Sequence, residues 1–139
     1  MLSVLISSES RYPVSRKKIK ERIAEVLKRF NLDDAEVSLS IVGNRKIREL
    51  NRLYRKIDEP TDVLSFPLEE PRDSEGILRL GDIVVSYPAA QDWARERNKF
   101  VEEVILELIE HGLLHLLGFE HDNGVEFKIP AAKDFRVGP

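Results

Sequence analysis

His111-Gly112-Leu113-Leu114-His115-Leu116-Leu117-Gly118-Phe119-Glu120-His121 contains all three histidines of the chain. On a helix, His111 and His115 lie one turn apart on a single face. Gly118 follows where a helix can end in a left-handed turn, a conformation that favours glycine. The chain can then fold back and carry His121 toward the other two imidazoles. Leu113, Leu114, Leu116 and Leu117 read as the buried side of the same helix. A lone histidine near an apolar stripe is more often a packed core residue. Three at this spacing, with none elsewhere in 139 residues, point instead to one metal ion with His111, His115 and His121 as ligands.

The spacing H-x3-H-x2-G-x2-H is that of metzincin zinc sites, where three imidazoles bind and one coordination position stays open. Three neutral nitrogen donors without a thiolate suit zinc best. One part of that pattern is missing. The residue after the first histidine, a general-base glutamate in the metallopeptidases, is Gly112 here.

Composition narrows the class. A chain of 139 residues is one domain's worth, and 42% hydrophobic with 34% charged residues allows both a core and a solvated surface. There is no cysteine, which excludes disulfides and thiolate zinc sites. No apolar run approaches the roughly 20 residues of a membrane span. Residues 1–7 lack a basic flank, so they read as a strand and not as a signal peptide, and a cytoplasmic location is the expectation. The net charge of −3 does not advertise nucleic-acid binding, so any such contact must come from a local basic patch.

Along the chain, residues 2–7 read as a strand. Ser15 is placed to cap a helix to about Phe30, whose apolar face is Ile19, Ile23, Val26, Leu27 and Phe30. Arg16, Lys17, Lys18 and Lys20 crowd its first turns and read as a solvated face. Val37, Leu39 and Ile41 alternate with polar residues in a second strand. Asn44 is a good cap for a helix over 45–56 with Ile47, Leu50, Leu53 and Tyr54 on its apolar face. Arg45, Arg48, Arg52 and Arg55 form a continuous basic stripe on that helix, a candidate phosphate contact in an otherwise acidic protein. Residues 62–67 and 80–86 read as two more strands, separated by a loop over 68–79. Pro88 suits the first turn of a third helix with Trp93 facing in. Asn98 is placed to cap a long fourth helix over 99–117.

Several segments together resemble one family. Leu50-Asn51-Arg52-Leu53-Tyr54-Arg55, Pro60-Thr61-Asp62-Val63-Leu64-Ser65-Phe66-Pro67, Leu80-Gly81-Asp82-Ile83 and the histidine stretch look like motifs of the YbeY family of bacterial rRNA maturation factors. The likeness covers most of residues 36–122. It implies an α+β fold: a mixed, mostly four-stranded sheet packed with about four to five helices, and a metal site in a cleft beside the sheet. It implies a zinc-dependent, single-strand-specific endoribonuclease, a hydrolase of RNA phosphodiester bonds. The family acts in 3′-end maturation of small-subunit rRNA and in ribosome quality control. The implied partners are single-stranded RNA and the small ribosomal subunit, with neither DNA nor a membrane. The family's three zinc ligands fall on His111, His115 and His121, and its arginine in the motif N-x-x-Y-R falls on Arg55, the expected catalytic residue. Residues 1–122 would form this single domain. Family members usually continue into an acidic-rich helix, whereas residues 123–139 form an atypical, proline-interrupted tail.

Two other classes compete. The spacing alone also fits a zinc peptidase or other small metallohydrolase, against which Gly112 argues. A non-catalytic ribosome-binding factor with a structural zinc would need a fourth protein ligand, such as Asp122. Asp82 and Glu120 are weaker candidates for orienting ligands or acting as base. Glu110 is turned about 100° from His111 on a helix and is not appointed.

Overall fold

The computed structural model describes residues 2–9, 11–68 and 77–119 in full, and the backbone of 120–122 and 125–128. In chain order the elements are β1 (Leu2–Ser8), α1 (Arg16–Lys28), β2 (Ala35–Val42), α2 (Asn44–Arg55), β3 (Val63–Pro67), β4 (Leu78–Ser86), α3 (Tyr87–Arg97), α4 (Val101–Leu116), β5 (Phe119–Asp122) and β6 (Val125–Lys128). The first four strands form one sheet in the order β1-β2-β4-β3. β1 and β4 flank β2 in parallel, and β3 closes the edge antiparallel to β4. The fold is therefore α+β with a mixed four-stranded sheet, as the sequence led one to expect.

Alternation on β2 and β4 divides the sheet into two faces. Val37, Leu39, Ile41, Ile83 and Val85 join Ile19, Ile23, Val26 and Leu27 of α1 and Val104, Ile105, Ile109 and Leu113 of α4 in the main core. The opposite face holds a smaller cluster of Val42, Leu64 and Val84 under Ile47 of α2. Burying each such side chain contributes about 1.5–3 kcal/mol. The main core therefore fixes α4, the histidine helix, most firmly.

Local chemistry sets the helix ends, with some departures from expectation. The Ser15 side chain accepts from Lys18 N, as its position suggests. Asn44 is the first helical residue of α2 rather than its cap, and its Oδ1 accepts a hydrogen bond of 2.9 Å from Ser86 Oγ. Ser86 in turn caps α3, accepting from Ala89 N. Asn98 ends α3 in a left-handed conformation (φ 55°) instead of starting α4, and Phe100 stands at the α4 cap without a side-chain hydrogen bond. The spacing predicts Leu53 and Tyr54 on the apolar face of α2, yet both are exposed, at 42% and 39%. The helix buries Asn51 there instead: its Nδ2 donates to Glu59 O at 2.8 Å, which satisfies the donor end of the amide, while its buried Oδ1 has no hydrogen-bond partner among the described residues. The basic start of α1 is partly paired, with Lys18 Nζ 2.7 Å from Glu102 Oε1. Arg16 donates to Ile6 O.

Of the tail, 125–128 form β6, which pairs with the histidine-bearing β5 with His121 opposite Glu126. Residues 123, 124 and 129–139 lie outside the described residues, as does most of the 68–79 loop.

Candidate metal centre

His111 and His115 project from the last turns of α4, where a 16-residue helix lies across the sheet. Their rings are brought together, with centroids 4.4 Å apart and planes inclined by 47°. Both are half-buried. One turn on, Gly118 adopts φ 94°, a left-handed conformation that costs a residue with a Cβ about 1–2 kcal/mol. This corner ends the helix and sends the chain into β5. Phe119 begins that strand and packs against Phe30, just past the end of α1, with ring centroids 5.2 Å apart. His121 follows two residues later on the same strand. Its side chain lies outside the described residues, as does that of Glu120. Among the described residues no three metal-binding side chains are gathered. Two neighbouring imidazoles one helical turn apart are nevertheless a donor pair that suits a borderline ion such as zinc.

Gly112 explains the missing glutamate. It is buried against the sheet, and a Cβ added there would lie 2.9 Å from Ile83 Cγ2, 3.1 Å from Ser65 Oγ and 3.3 Å from Val63 Cγ2. Ser65 Oγ also donates to Gly112 O at 3.0 Å. Position 112 thus points at β3 and β4. A glutamate there would drive its carboxylate into the core.

Beside His111 opens a cavity of about 300 Å³. α3 contributes Trp93 and Arg97 to its wall, α4 contributes Val104, Glu107 and Leu108, and Asp62 enters from the chain leading into β3. Asp62 is fixed by its carbonyl, which accepts from Ser86 N at 2.9 Å. The Arg97 guanidinium lies 4.2 Å over the Trp93 ring. Glu107 draws Lys99 to 2.6 Å and Arg97 to 3.8 Å. Sequence reasoning missed these wall residues as site residues, though Asp62 lay within a motif and Trp93 is the single tryptophan.

The other candidates fall elsewhere. Glu110 is held 3.5 Å from both Arg22 of α1 and Arg29 at the cap that follows it. Asp82 shares the α2 side of the sheet with Val84, whereas Ile83, its neighbour, meets Gly112 on the other side. Its side chain is exposed on that face, and partial desolvation pushes its carboxyl above the ordinary aspartate range, opposed by a hydrogen bond with Ser38. It is therefore removed from the histidine pair. Arg55 is exposed in the last turn of α2 and is not among the residues lining the cavity. The end of α2 is nonetheless tied to the chain that enters the cavity wall. Asn51 holds Glu59, and Arg48 makes a two-pronged contact with Asp58 at 2.9 and 3.3 Å. That contact keeps the Asp58 carboxyl below its usual range and takes Arg48 out of the basic stripe, leaving Arg45, Arg52 and Arg55 exposed.

Sheet, crossing helix and paired imidazoles define an α+β protein with a His-x3-His helix beside a cavity. Residues 5–134 match the family model described as Endoribonuclease YbeY. A relative of that name from Aquifex aeolicus is 42% identical over 123 residues, covering 88% of this chain and 80% of the relative. One from Persephonella marina is 39% identical over 109 residues, covering 78% and 71%. The solution structure of a Thermotoga maritima protein superposes with a TM-score of 0.58 at 32% identity, covering 88% of this chain and 75% of that one. The chain belongs to the YbeY endoribonuclease family.

Proposed function

We propose that this endoribonuclease cleaves single-stranded RNA at a zinc ion held by His111, His115 and His121. The observation that carries the reading is the pair of imidazoles 4.4 Å apart at the end of α4, with the chain turned at Gly118 into the strand bearing the third. When bound, zinc supplies an acidified water and a Lewis acid for phosphoryl oxygens. The α4 backbone holds His111 and His115 at fixed separation, so little ligand ordering remains to be done on binding. Arg55, at the end of α2, contacts the substrate phosphate and stabilises its growing charge. Arg45 and Arg52 continue the basic stripe that the RNA backbone follows. The substrate class is rRNA, with small-subunit 3′-end maturation and ribosome quality control as the setting and the small ribosomal subunit as partner.

Position 112 favours this reading over a peptidase. Peptide hydrolysis at such a motif recruits a glutamate next to the first histidine, and the sheet leaves no room for one here. The test separates binding from chemistry. His115→Ala is expected to lose zinc by metal analysis and to lose cleavage of single-stranded RNA. Arg55→Ala is expected to retain zinc while cleavage falls by about 10²–10³-fold, the usual effect of removing one group that stabilises transition-state charge. Full activity in Arg55→Ala removes that residue from the mechanism. Full zinc retention in His115→Ala removes the metal site as drawn.

A further inference from the structure

The cavity beside His111 has contents that metal binding does not use. Trp93 and Arg97 form a stacked indole–guanidinium pair on its α3 side. Asp62 and Glu107 bring two carboxylates to the same space. Flat indole and guanidinium surfaces are the platforms on which unstacked bases of RNA pack. Carboxylates accept hydrogen bonds and donate none when ionised. A ligand that meets them must therefore present N–H groups.

We propose that this cavity is a nucleobase subsite that takes one base of the RNA strand, with guanine preferred and uracil least favoured. This inference rests on the nuclease reading above. The guanine edge offers N1–H and the N2 amino group side by side, a two-donor match to a carboxylate. Uracil offers one N–H between two carbonyl oxygens, which face the carboxylates unfavourably. Glu107 already answers Lys99 and Arg97, whereas Asp62 Oδ1 accepts one long hydrogen bond of 3.4 Å from Thr61 Oγ1; Asp62 is therefore the reader of the base edge and Trp93 with Arg97 is the platform. A recess of about 300 Å³ admits one base only after it leaves its stack, so the subsite also selects single strands over duplexes. His111 shares the cavity wall, which places the bound nucleotide next to the reacting phosphate.

Trp93 is the only tryptophan, so its fluorescence reads the subsite directly and without metal. The full chain, held in chelator, is titrated with GMP, UMP and ribose 5-phosphate, with correction for nucleotide absorbance. Saturable quenching by GMP is expected, at least about five-fold tighter than by UMP, the lower end of what a two-donor contact discriminates. Asp62→Asn should keep quenching but lose the preference. Equal quenching by GMP and UMP, or by ribose 5-phosphate, overturns the assignment, as does the absence of quenching. Cleavage of a uridine-rich oligonucleotide carrying one guanosine is measured in parallel with zinc. Cleavage without nucleotide-dependent quenching refutes the subsite and leaves the nuclease standing. Selective quenching without cleavage does the reverse.

Discussion

Gly112→Ala puts one methyl group between α4 and the sheet. Alanine is about 1 kcal/mol better than glycine inside a helix, so an exposed site would gain stability. Here the new Cβ meets Ile83 Cγ2 at 2.9 Å and Val63 Cγ2 at 3.3 Å. Both are β-branched methyls with stiff χ1, and Ile83 is fully buried. Overpacking costs about 1–3 kcal/mol, and two stiff methyls met at once put this site in the upper part of that range, at about 2–3 kcal/mol. The clash therefore wins, for a net loss of about 1–2 kcal/mol, or about 3–8 °C in Tm for a domain of this size. Relief comes by moving α4 outward, and His111 moves with it. RNA cleavage should consequently fall by more than the loss of folded protein explains. Thermal and denaturant unfolding measure the first effect and cleavage under folded conditions measures the second. Ile83→Ala removes the nearest contact, so Gly112→Ala should cost less in that background than alone, with a coupling of about 1 kcal/mol. An alanine variant as stable as the parent, or effects that simply add, would refute the tight helix–sheet contact.

Ser86→Ala removes a fully buried hydroxyl that caps α3 and donates to Asn44. A loss of about 1–2 kcal/mol is expected in urea unfolding. Asn51→Ala breaks the 2.8 Å bond to Glu59 O and should cost about 1–2 kcal/mol, with faster amide exchange over residues 56–62. Asp82 has a carboxyl raised by partial desolvation above the ordinary value of 3.8. Between that value and its higher folded one, the native state holds a proton that the unfolded state has lost. Its contribution to stability is present below the ordinary value and is lost as pH rises through the folded one. Asp82→Asn should flatten this slope in pH-resolved unfolding.

Much of the fold was legible because its main signals are local. The alternation at Val37, Leu39 and Ile41 and the helical spacing at Ile19, Ile23, Val26 and Leu27 each name one face, and those faces meet in the core. The glycine corner at Gly118 was legible for the same reason, since the left-handed turn is a property of one residue. Asn98 and Asn44 misled because asparagine serves either end of a helix. At 98 the left-handed turn belongs to the end of α3, and at 44 the side chain is drawn to Ser86, 42 residues away. Leu53 and Tyr54 misled because α2 covers only a small cluster and leaves its flank to solvent. The cavity wall was least legible. Asp62, Trp93 and Glu107 come from three separate segments, and no periodicity within any one of them reports that they converge.

The placement of the carboxylates also bears on the class of reaction. Sequence spacing offers a glutamate position beside the first histidine, but at 112 the helix backbone presses on Ile83 and Ser65. It offers Asp82, but strand alternation puts that side chain on the other side of the sheet. It offers Glu110, but Arg22 of α1 and Arg29 at its cap hold it. No base of the peptidase kind is therefore built at the usual place. A phosphodiester makes a different demand: its transition state gathers negative charge on oxygens already anionic, so a bound cation and nearby guanidinium groups lower the barrier more than an added carboxylate would. The residues at the imidazole pair suit that demand. The same helix–sheet contact that excludes the glutamate also holds His111 and His115 in register, so one packing constraint both bars a peptidase-type base at 112 and steadies the imidazole pair.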